Sequence, residues 1–243
     1  METDEGKEGI DSGVKALEVL ENTEESETVV IGGKTIENPK YHLAKLKKVM
    51  EIAHRLFDFD PEDIHFKSFG GETIGEATSE GIYIDAVMLM HPINRLANVI
   101  FHEMAHDGGD IQNEGLVESY AKAAMRASGL MGEDLKLTGE YDLALDNFHK
   151  MVESVAKNTG KNKWELLVEL YDLYYHGNYE KIYEVCVGDE NEDDAKLEYF
   201  KAAFPELEVH DDGDFRVRKF EKPAAEESPE DPDPVPAEAP IEE

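Results

Sequence analysis

Residues 92–127 constrain the fold more than any other part of the chain. Proline is tolerated in the first turn of a helix, and after Pro92 the apolar residues Ile93, Leu96, Ala97, Ile100, Phe101 and Met104 recur at three- and four-residue intervals. That spacing predicts a helix buried along one side. The helix must stop at "DGGD", residues 107–110, because two successive glycines favour a sharp turn over continuation. Asn113 is then a good N-cap for a second helix running to about Ala127, with Leu116, Tyr120 and Ala124 on one side. A connection this short sends the second helix back toward the first.

Around this pair the pattern changes. From Pro39 to Leu56, Leu43, Leu46, Val49, Met50, Ala53 and Leu56 again mark a helix packed on a core. "IHFKSF" (64–69) and "GIYIDAVML" (81–89) are rich in aromatic and β-branched residues, with turn-forming glycines at 70, 71, 75 and 81. They predict a small antiparallel sheet whose last strand runs into His91-Pro92. Beyond residue 130, segments 141–157, 163–177, 179–187 and 195–204 read as helices, and "LEVHDDGDFRVRKF" as a hairpin turned by Asp-Gly. A short helix is expected in "VKALEVLEN" near the start. The fold class is α+β.

The ends differ in composition from the middle. Residues 1–27 hold ten acids against two bases, and residues 223–243 hold eight acids, no bases and six of the ten prolines. Neither end has enough apolar surface to offset its ordering entropy. The expected organisation is an acidic, largely disordered segment at 1–27, a core at 28–130, a mainly helical part at 131–222 and a disordered acidic tail at 223–243. A formal net charge of −32 repels phosphate backbones and anionic headgroups, so nucleic acid and membrane surfaces are not expected partners. Apolar runs such as "AVMLM" fall far short of the roughly 20 residues needed to span a bilayer. A single cysteine, Cys186, and an N-terminus without a basic start and apolar run point to a reducing cytoplasm. Oligomeric state is not legible.

The chemistry lies in "HEMAH", residues 102–106. On a helix His102 and His106 lie one turn apart on the same side, so both imidazoles can reach one ion, with Glu103 beside them facing a bound water. Two histidines do not complete a hydrolytic zinc site, which takes three protein ligands and leaves a fourth place for water. The third must come from another element. Glu114 opens the returning helix, and Glu118, one turn further on, falls on the same face, where it can accept the outer N–H of a ligating histidine. Asp107 and Asp110 read as turn residues. The bland alternative is an amphipathic helix with two histidines, followed by an acid that the helix dipole favours.

"HEMAH" followed by "NEGLVE" at 113–118 resembles the gluzincins, zinc peptidases that carry H-E-x-x-H on one helix and a glutamate ligand at the start of another. The resemblance covers about 25 residues, and only seven separate His106 from Glu114, fewer than in most gluzincins. It implies a zincin-like fold with a sheet edge beside the active-site helix. It also implies Zn2+ held by His102, His106 and Glu114, Glu103 as general base, and Glu118 steadying a histidine. The metzincin pattern fits as far as Gly109, but Gln112 stands where its third histidine belongs, and an amide is a poor zinc ligand. Tyr171, Tyr174, Tyr175, His149 and His176 have the spacing of core and surface positions and are assigned no role; Cys186 reads as a small buried hydrophobe.

These features predict a zinc-dependent metallopeptidase acting on a peptide or protein substrate, which the strand "GIYIDAV" would receive by β-augmentation. The second reading is a catalytically silent, zincin-like binding or scaffold protein. A site kept only for structure needs no base, so Glu103 weighs against it.

Overall fold

A computed structural model of the chain describes residues 15–57, 64–70, 73–106, 111–131, 139–188, 194–209 and 215–217. The expected disorder at 223–243 and over most of 1–27, and the "DGGD" turn with Asp107 and Asp110, lie outside the described residues.

The architecture is mixed α+β and mainly helical. Helix α1 (Ala16–Asn22) leads into a hairpin of β1 (Val29–Ile31) and β2 (Lys34–Ile36), then helix α2 (Pro39–Phe57). Strands β3 (Ile64–Lys67), β4 (Gly75–Thr78) and β5 (Gly81–Asp85) follow, then a 3-10 turn over Ala86–Met90. Helices α3 (Ile93–Ala105) and α4 (Glu114–Ala127) form the expected pair. The C-terminal part is α5 (Gly139–Thr159), α6 (Lys163–Tyr175), α7 (Tyr179–Cys186) and α8 (Asp194–Ala203), closed by the antiparallel pair β6 (Leu207–Val209) and β7 (Phe215–Val217).

The β1–β2 hairpin was not anticipated from the sequence. Its turn, Gly32-Gly33, has φ of +52° and +71°, the left-handed geometry that matches a two-residue hairpin to strand twist. Gly32 also lies so close to the start of the next sheet that a Cβ would meet the Lys67 carbonyl carbon and the Ala86 Cβ at 2.8 Å.

The three-stranded sheet departs from expectation in two ways. Its order is β3-β5-β4, with β5 antiparallel to β4 but parallel to β3. The chain runs out along β3, back along β4 and out again along β5 between them, so the sheet is mixed rather than antiparallel. Strand β5 is therefore central. The "GIYIDAV" segment has no open edge for a peptide, and the edge toward α3 belongs to β4 instead. The strand also ends sooner than expected, at Asp85, because that carboxylate accepts the Val87 N–H at 2.8 Å and the Phe69 N–H at 3.0 Å, capping the 3-10 turn.

Alternation decides how the sheet faces. Ile64, Phe66, Ile82 and Ile84 are buried, while His65, Lys67 and Tyr83 between them are half-buried on the other side. The inner face packs with α2 and α3 into one apolar cluster that includes Leu96, Ile100, Phe101 and Met104. A second cluster joins Phe148, Leu166, Leu170, Phe200 and Phe204 of the C-terminal part to Ala105, Ile111, Leu116 and Val117. Both α3 and α4 thus contribute to both clusters. No helix among the described residues is long and apolar enough to cross a membrane.

Candidate metal centre

Helix α3 ends at Ala105, but His106 keeps helical backbone angles (φ −72°, ψ −15°), so the one-turn spacing of His102 and His106 survives to the helix end. Asn113 caps α4 as expected, its Oδ1 accepting the Leu116 N–H at 2.7 Å. The two helix ends meet, and His102, His106 and Glu114 each present a donor atom within 4.8 Å of the others.

Hydrogen bonding fixes which atoms point inward. His102 Nδ1 is 2.9 Å from Glu118 Oε2, and His106 Nδ1 is 2.6 Å from the Ile111 carbonyl. Both partners are acceptors, so each Nδ1 carries a proton and each ring turns Nε2 inward, where a neutral ring offers its lone pair. The two Nε2 atoms are 3.2 Å apart, and Glu114 Oε2 lies 3.3 Å from that of His102 and 3.7 Å from that of His106. Three acceptors converge. Were both imidazoles neutral, three buried lone pairs would repel one another, so the cluster calls for a proton or a cation within it.

The spacing suits a transition metal. With metal–nitrogen bonds of about 2.0–2.1 Å, the edge of a tetrahedron is about 3.4 Å, which the three measured separations bracket. Two imidazoles and one carboxylate are a zinc-type donor set rather than the all-oxygen set of calcium or magnesium. The residues therefore fit the ion that the sequence predicts.

Charge tells the same story. Burial pulls the His102 imidazole down, but the carboxylates of Glu114, Glu118 and Glu103 outweigh it and hold the ring at about 10. His106 is lowered, first by burial and then by the charge on His102, so one proton serves the pair. Burial raises Glu114, yet the two histidines outweigh it and leave its carboxyl below the usual range. The cluster thus holds one cationic proton among inward lone pairs, and metal binding would exchange for it.

Glu103 faces the sheet edge. Its carboxylate lies against β4, where a Cβ on Gly75 would meet Oε1 at 2.3 Å, and it takes a backbone hydrogen bond from Ala77. Burial, then the charges of Glu114 and Glu76, overcome the pull of His102 and raise Glu103 to about 7. A carboxyl near neutrality can both take and return a proton.

Glu118 is fully buried, and Lys122 Nζ stands 3.6 Å from its second oxygen. Of the residues assigned no role, Tyr171 donates its hydroxyl to the Ala105 carbonyl at 2.9 Å, while Tyr175 and His176 are exposed. His149 lines a cavity of about 460 Å³ between α4, α5 and α6, together with Ser119, Arg126 and Trp164. Cys186 is buried against Met151.

Sequence reasoning missed two groups. Gly75 was read as a turn glycine, and its place beside Glu103 has no local signature. Glu206 and Tyr174 form a buried polar cluster with Asn113, whose Nδ2 donates to the Ala203 carbonyl at 2.7 Å and to Glu206 Oε1 at 2.9 Å. Tyr174 hydrogen-bonds Glu206 and the backbone of Gln112. Burial pushes both Glu206 and Tyr174 above their ordinary ranges.

Fold and site together define a mixed α+β chain with a two-histidine, one-carboxylate cluster at the mouth of a helix pair. Comparisons with protein families, with curated proteins and with solved structures returned no match.

Proposed function

We propose that this chain is a zinc-dependent metallopeptidase of zincin-like, gluzincin-type organisation. The observation that carries the reading is the convergence of His102 Nε2, His106 Nε2 and Glu114 Oε2 at separations of 3.2–3.7 Å. Each imidazole is oriented from behind by a hydrogen-bond acceptor, as metal-ligating histidines require.

His102, His106 and Glu114 would hold the ion. Bound there, zinc supplies a Lewis acid for a scissile carbonyl and lowers the pKa of water to about 7. Glu103 takes the proton of the attacking water and returns it to the leaving amine. Its burial and its bond to Ala77 fix the carboxylate beside the β4 edge, so an extended peptide laid along that edge would present its backbone to the base. The substrate class is accordingly a peptide or protein in extended form, received at β4 rather than β5.

Metal content and hydrolysis test the reading together. Purified protein should hold one zinc per chain, His102→Ala should lose it, and Glu103→Gln should keep it while losing peptide hydrolysis. Wild-type zinc content in His102→Ala removes the metal site, and full hydrolysis in Glu103→Gln removes the base.

A further inference from the structure

The two residues preceding Glu114 are tied to the C-terminal helical part. Asn113 uses Oδ1 to cap α4 and both hydrogens of Nδ2 to reach Ala203 and Glu206, so both its donors and its carbonyl oxygen are engaged. Gln112 meets Tyr174 through its backbone, and Tyr174 passes its hydroxyl to Glu206. Asn113, Tyr174 and Glu206 are all buried, at 3%, 3% and 2% exposure. Water cannot replace a bond lost there, and a partner left unsatisfied carries its full desolvation cost. Residues 112 and 113 are therefore held on one side by α6 and the segment after α8, while Glu114 projects from the next position toward the histidines.

From this geometry we infer that Glu206 and Tyr174 are positioning residues for Glu114, so that the C-terminal helical part sets the third coordination place of the metal centre. Neither residue touches the site. They act through Asn113 and Gln112 by fixing where α4 begins. The inference rests on the metallopeptidase reading for its consequence, but the clamp on the α4 N-terminus is a separate claim with its own readout.

The test uses full-length protein carrying Tyr174→Phe, Glu206→Leu or Glu206→Gln. Zinc affinity is measured by competition with a chromogenic chelator, and amide exchange at Leu116 is followed in metal-free protein. Tyr174→Phe and Glu206→Leu should weaken zinc binding about 10- to 100-fold, the range for residues that orient metal ligands. Glu206→Gln, which keeps an acceptor for Asn113, should stay within about threefold of wild type on the same scale. Leu116 exchange should accelerate in the two disruptive variants, because its N–H bonds to Asn113 Oδ1. Tyr174→Phe removes only a hydroxyl and keeps the comparison open if Glu206→Leu does not fold. Wild-type zinc affinity in folded Tyr174→Phe and Glu206→Leu overturns the positioning role. If the wild type itself binds no zinc, the metal reading fails; unchanged Leu116 exchange in both disruptive variants overturns the clamp whichever way zinc behaves.

Discussion

Gly75→Ala places a methyl group where the Glu103 carboxylate now lies. The new Cβ would stand 2.3 Å from Oε1, 2.7 Å from Cδ and 2.8 Å from Cγ, whereas ordinary contact begins at 3.4 Å. Strand β4 is pinned along its length by β5, from Gly75 opposite Ile84 to Thr78 opposite Gly81. The side chain must therefore yield, by about 1 Å. A displacement of that size in a catalytic group costs about 100-fold in rate. Overpacking should also cost about 1–3 kcal/mol of stability, or roughly 2–12 °C in Tm for a chain of this length. Zinc affinity should not move, because the three atoms nearest a Cβ at Gly75 all belong to Glu103 and none to a candidate ligand. The assay pairs turnover of a quenched-fluorescent peptide library with zinc competition and a thermal melt on the same preparation. Wild-type turnover and an unshifted melt in Gly75→Ala would refute the placement of Glu103 against β4.

Three further outcomes follow from the same geometry. Glu118→Ala should weaken zinc binding about 10- to 100-fold by freeing the His102 ring, while Glu118→Gln, which still offers an oxygen to Nδ1, should lose less in the same competition assay. Glu206 has a folded-state pKa raised by burial, so the stability it contributes is fully present below its unfolded value and is lost as pH rises through the folded one. In metal-free protein, urea unfolding of wild type minus that of Glu206→Gln should therefore fall as pH rises above about 4.5; a flat difference would contradict the burial. Gly32→Ala combines a left-handed backbone with contact against Lys67 and Ala86 and should cost at least about 2 kcal/mol, whereas Gly33→Ala, with open space around it, should cost only about 1–2 kcal/mol, both read from urea midpoints.

The α3–α4 pair was legible because each of its signals is local: an apolar stripe, an asparagine cap, and two histidines one turn apart. Glu114 and Glu118 were legible for the same reason, lying on the same face as Leu116's helix turns back past α3. The sheet was harder. Strand β4, "GEAT", has no buried residue and hence no alternation to read, and without it β5 looked like an edge rather than a centre. The β1–β2 hairpin did carry a signal, Gly-Gly between β-branched runs in "VVIGGKTI", that fits a two-residue turn. Glu206 and Tyr174 offered none. A glutamate among polar neighbours and a tyrosine at core spacing acquire their meaning only when the fold brings Glu206 onto Asn113 across a sequence separation of 93.

Helices α3 and α4 lend side chains to both apolar clusters, and this has a thermodynamic consequence. Neither cluster can melt while the other stays intact without stripping packing from a helix they hold in common, so the described chain should open as one cooperative unit. An ion seated where those helices converge would add its binding energy to that unit as a whole, about 4 kcal/mol when free metal exceeds its dissociation constant 1,000-fold. Occupancy at the centre would thereby slow exchange of amides as remote as those of β5 and α8.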